Sequence, residues 1–217
     1  MTRFFRSTLI AAFAALSIAA PALAGPPLLC HAYDIGSAKS LPWMGEKSWF
    51  EGRPDYNIQN LVADAEALLT PSTPVIVRME TLRRAAIYAS TDPTVANRLL
   101  KRFISRAEAS EEKGQPDALA YLDAAYLAGA FNEFTMMARS KEWEGRAAVA
   151  RSAKGALDAY ALITKSVALR PGDPAIQFAA ALISSDEHRG EYPAHAAKAR
   201  AGAQADMLLA RNLTHVQ

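Results

Sequence analysis

The sequence has a single cysteine, Cys30, so no internal disulfide forms and stability must come from packing. It also has almost no surplus charge, with 24 basic against 22 acidic side chains. Arg3 and Arg6 lie in the first 24 residues, so the remainder balances 22 against 22, and the pI of 8.7 describes the full chain alone. A neutral chain lacks the electrostatic footprint for nucleic acid or anionic lipid, which removes nucleic acid from the expected partners. Beyond residue 24 no apolar run approaches the ~20 residues that cross a bilayer. Gly-rich phosphate loops, Gly-x-Ser-x-Gly elbows and paired-carboxylate signatures are also missing. The expectation is a protein that is not an enzyme and carries no cofactor or metal.

What is present begins with Arg3 and Arg6, an apolar run from Leu9 to Ala20, and Pro21-Ala22-Leu23-Ala24 before Gly25. These are the three parts of a secretory signal peptide, residues 1–24, cleaved after Ala24. The expected location is periplasmic or secreted. Leu29 precedes Cys30 where a lipid-attachment site has a small residue, so lipidation is not expected.

Residues 25–56 differ in kind from the rest of the chain. Gly36, Pro42, Gly45, Gly52 and Pro54 interrupt any regular element, while Trp43, Trp49, Phe50 and Tyr56 are too apolar to lie in water together. The reading is an irregular N-terminal arm with its aromatics on a helical body. From Asn57 onward the spacing is helical. Ile58, Leu61, Val62, Ala65, Leu68 and Leu69 form one face, and Thr73-Pro74, Asp92-Pro93 and Pro116-Asp117 are start signals. Arg98, Lys101, Arg102 and Arg106 form a basic stripe read as a solvated face. Between Ala118 and Phe131 only Asp123 is charged, so this stretch is expected to be a central helix buried on all sides, with an arginine beside Asp123.

Trp143, Ala147, Ala159, Ile163, Leu169 and Pro171 stand in the pattern of a tetratricopeptide repeat, followed by Asp173-Pro174-Ala175 as the opening of a second unit. The stretch from Trp143 to Met207 thus resembles that family in part. It departs at Arg146, Ala150, Ser166 and Pro193. The resemblance implies stacked antiparallel helical hairpins with a concave face that binds a protein or peptide. Trp143, Arg146 and Gln177 are the candidate partner-binding residues on it, unless the arm fills the groove. The segment Leu28-Leu29-Cys30-His31 with Ser40-Leu41-Pro42-Trp43 resembles the start of a group of uncharacterised secreted bacterial proteins, which implies no activity.

The expected architecture is therefore all-α and TPR-like: the arm over 25–56, then a single helical domain over 57–217. The leading function is a protein- or peptide-binding module of the cell envelope. The alternative places a thiol-dependent enzyme or redox-responsive protein at Cys30 and His31, since a neighbouring imidazolium activates a thiolate. A homodimer bridged through Cys30 is the third reading. His188, Glu191 and His195 are metal-ligand types at a spacing that does not match His-Glu-x-x-His, and they are read as structural.

Overall fold

The computed structural model describes residues 25–45, 49–185 and 188–216; the expected signal peptide over 1–24 lies outside them. Among the described residues the protein is all-α, with nine α-helices and no strand. The helices are α1 Leu61–Leu68, α2 Val75–Ala89, α3 Pro93–Glu112, α4 Ala118–Met136, α5 Glu144–Lys154, α6 Ala159–Leu169, α7 Pro174–Ser184, α8 Tyr192–Gly202 and α9 Met207–Asn212. A 3-10 turn over Leu213–Val216 ends the described chain.

Local chemistry sets most of the helix starts. Asp92, Asp117, Asp158, Asp173 and Asp206 each accept hydrogen bonds from main-chain N–H groups of the first turn they precede. At Thr73-Pro74 the sequence pattern puts Thr73 at the cap and Pro74 at the first helical position, and the structure shifts both by one. Pro74 occupies the cap position, and the Thr73 hydroxyl donates back to the Leu68 carbonyl. The stretch from Glu142 to Leu169 divides at Gly155, and the one from Tyr192 to Leu213 divides after Gly202.

The core is built on two helices. α4 is buried along almost its whole length, as a helix apolar on all sides must be. It packs against α2, α3, α5, α6 and α7. α2 is buried just as fully although it carries Arg78, Glu80 and Arg83. Asp123 of α4 meets Arg78 of α2 in a two-pronged ion pair, Nε to Oδ1 at 2.9 Å and Nη2 to Oδ2 at 2.8 Å. Arg78 also donates to the Thr70 and Leu69 carbonyls, which closes the C-terminal end of α1 onto the core. On α3, Arg98, Lys101 and Arg102 face solvent opposite Val95, Leu99 and Phe103, while Arg106 leans to 3.8 Å from Asp123.

α5 and α6, the helices of the repeat-like segment, each have α4 as their principal helical neighbour. α6 also meets α7, and α7 pairs with α8. No helix among the described residues is long and apolar enough to cross a membrane.

Candidate functional site

Apart from the Arg78–Asp123 pair, the buried charges of α2 and α4 have a common use: they bind the main chain of the arm. Glu133 of α4 accepts the N–H groups of Leu28 and Leu29, one on each carboxylate oxygen, at 2.8 and 2.9 Å. Tyr126 donates its hydroxyl to the Leu28 carbonyl at 2.6 Å. On α2, Glu80 accepts the Tyr33 N–H at 3.1 Å, and Arg83 donates to the carbonyls of Leu29 and Trp49. Arg84 donates to the Leu41 carbonyl at 2.7 Å. Tyr88 donates to the Pro42 carbonyl and accepts the Arg53 N–H. An irregular segment cannot pair its own main chain as a helix does, so its buried polar groups need such partners.

Apolar contact completes the seating. Leu28, Leu29, Tyr33 and Leu41 are buried in the same cluster as α2, α4 and α7. Two glycines let the backbones approach: a Cβ on Gly52 would stand 2.3 Å from Tyr88 Cε1, and one on Gly129 would stand 2.7 Å from Leu28 Cδ1. Burial opposes ionisation of Glu80, but the Arg83 and Arg84 guanidiniums outweigh it and hold the carboxyl below its ordinary value.

The arm's aromatics account for two of the candidate residues. Phe50 lies edge-on to Trp143, ring centres 4.3 Å apart, and under the Arg146 guanidinium at 4.4 Å. Trp49 stacks on Trp143 at 6.0 Å. Arg146 also donates to the Ile87 carbonyl and the Ser90 hydroxyl. Trp143 and Arg146 therefore meet the arm. Gln177 is buried on α7, where its amide serves Pro171 and His195.

On its outer side the arm forms a cleft of about 780 Å³. Its walls are residues 32–36 on one limb and Ser40 to Trp43, Gly45 and Trp49 on the other, and Glu80 and Arg84 form its floor. Trp43 stands beside both guanidiniums, at 5.2 Å from Arg83 and 5.6 Å from Arg84. Trp49 remains 37% exposed. A volume of this order with aromatic walls and a few polar groups suits a small ligand or a short piece of chain.

Cys30 is half-buried, and burial, reinforced by the Glu133 charge, pushes its thiol up to about 11. That favours the protonated, unreactive form. His31 lies edge-on to His215, with ring centres 6.1 Å apart. His188 stacks on Tyr160 at 4.0 Å, and His195 is held by Gln177. Among the described residues no three His, Cys, Asp or Glu side chains converge as metal ligands would.

Sequence reasoning missed Glu80, Arg83, Arg84, Tyr88, Tyr126 and Glu133. A usable signal was present in α2, where Arg78, Glu80, Arg83 and Arg84 sit among apolar residues on more than one helical face. No protein-family model, curated protein or solved structure matches the chain.

Proposed function

We propose that the protein is an exported helical module of the cell envelope that binds a protein or peptide. The observation that carries this reading is the outer cleft, where Trp43 stands beside Arg84 and the partly exposed Trp49 lines the same wall. Aromatic and arginine side chains of this kind dominate the energetics of recognition surfaces. The cleft sits on a body that already holds an extended stretch of polypeptide by its main chain, a mode of binding that transfers to a second chain. The likeness of Trp143 to Met207 to tetratricopeptide repeats supports the same function, with Trp143 stacked behind Trp49 and Arg146 over the neighbouring Phe50. Export rests on the signal-peptide pattern and cleavage after Ala24. The raised Cys30 thiol weighs against the thiol-dependent alternative.

Tryptophan fluorescence titration of the purified protein with pools of short peptides tests the reading. Saturable quenching that Trp49→Ala abolishes is expected. Binding indifferent to Trp49, or seen only without reductant, would refute it.

A further inference from the structure

Arg83 and Arg84 address the same carboxylate. Arg83 takes both oxygens of Glu80, at 2.7 and 2.9 Å, and Arg84 takes one, at 2.7 Å. Among the described residues neither arginine has another ion-pair partner, so two guanidiniums share one negative charge. Arg83 is fully buried, its Nη1 committed to the Leu29 and Trp49 carbonyls. Arg84 is the member that reaches the cleft floor, with its side chain 19% exposed. Its Nε holds Glu80 and its Nη1 holds the Leu41 carbonyl, which leaves Nη2 without a protein acceptor among the described residues. Across the cleft, Asp34 has its own cation, Arg211 at 3.7 Å. Among the described residues, the ion-paired groups at the cleft, Glu80 with Arg83 and Arg84 and Asp34 with Arg211, thus carry one positive charge in excess, and Arg84 brings it beside the Trp43 ring.

Resting on the peptide-binding reading above, we propose that the cleft takes the free C-terminal carboxylate of a polypeptide whose last side chain is aromatic or aliphatic. Arg84 receives the carboxylate, and Trp43 and Trp49 flank the terminal side chain. The unclaimed Nη2 of Arg84 can donate a charge-assisted hydrogen bond to one carboxylate oxygen, which is stronger than the bond it would make to a neutral carbonyl. An α-carboxylate lies next to its own side chain, as Arg84 lies next to Trp43. A cleft of about 780 Å³ between two limbs of chain admits a chain end, whereas an acidic residue in mid-chain brings main chain on both sides.

The test uses the purified protein and acetylated tetrapeptides ending in Phe, Trp or Leu, each as the free acid and as the amide. A third set, amidated, carries Glu at the penultimate position. Binding is read by tryptophan fluorescence and calorimetry. The free acids should bind at least about tenfold tighter than the amides, about 1.4 kcal/mol. The difference should disappear in Arg84→Gln and survive in part in Arg84→Lys. Should Arg84→Gln fail to fold, Trp49→Ala carries the test, because its ring is partly exposed and its anchoring carbonyl is retained; it should weaken the acids by about tenfold. Equal binding of acids and amides overturns the carboxylate assignment and leaves peptide binding standing. Amidated Glu peptides that match the acids overturn the C-terminal assignment alone. If no peptide binds, the assignment falls together with the reading it rests on.

Discussion

Glu133 accepts the main-chain N–H of Leu28 at 2.8 Å, although the two residues stand 105 positions apart in the chain. The contact explains how α4, whose other buried charge is Asp123 in its pair with Arg78, tolerates a second buried carboxylate. Its second oxygen takes the Leu29 N–H, so the arm supplies donors in place of water. Glu80 and Tyr33 repeat the arrangement on α2. The arm is therefore a core element despite its lack of regular structure. Two of the side chains that hold it, Glu80 and Arg84, also set the floor of the outer cleft.

Breaking the Arg78–Asp123 pair on one side only should be severe. Arg78→Met leaves Asp123 buried without its two-pronged partner and frees the Thr70 and Leu69 carbonyls. A loss of about 3–5 kcal/mol is expected in urea unfolding. Replacing both residues by apolar ones of similar size should recover much of that loss. A double variant as unstable as the sum of the two single variants would contradict this account.

The pair also marks how far the sequence is readable. Asp123 is the lone charge of the apolar stretch from Ala118 to Phe131, which is enough to predict an arginine partner, and the aspartate caps and proline starts locate most helices. α2 is harder. Its arginines and glutamate resemble those of an exposed helix face, and only the path of the arm shows why they are inside. Beyond the ion pairs they make with one another, the partners of Glu80, Arg83 and Arg84 are main-chain atoms of the arm, which leave no pattern of side chains to read. Phe50 and Trp49 were recognisable as aromatics needing cover, but their meeting with Trp143 and Arg146 depends on tertiary geometry.

Acid should loosen the junction between the arm and the C-terminal turn. His215 stacks on Tyr33 at 4.9 Å and lies against His31 and Phe178, with Glu80 and Arg83 among the charges that act on it. Burial, with help from His31, pushes its imidazole down to about 4, and its Nδ1 is buried without a hydrogen-bond partner among the described residues. A depressed folded-state value means that the unfolded chain binds the proton first. The contribution is complete above about pH 6.5 and is lost as the pH falls toward and through about 4. Comparing unfolding at pH 7.5 and 4.5, His215→Phe should lose about 2–3 kcal/mol less than the parent. Equal losses would refute the assignment.

Cys30 should be slow to react. Its thiol is raised from 9.0 to about 11, which lowers the thiolate fraction near neutral pH by about 100-fold. Alkylation by iodoacetamide at pH 7.5 should be slower in the folded protein than in urea by at least that factor. A folded-state rate close to the unfolded one would restore the thiol-dependent alternative.

The claim that the arm is held as core by buried carboxylates is tested most directly by amide hydrogen exchange at Leu28, Leu29 and Tyr33. Each of these N–H groups donates to Glu133 or Glu80. They should exchange only as slowly as the amides of α4, through global unfolding, and Glu133→Gln should speed Leu28 and Leu29 more than the α4 amides. Exchange of all three at the rate of an exposed loop in the parent protein would contradict the account.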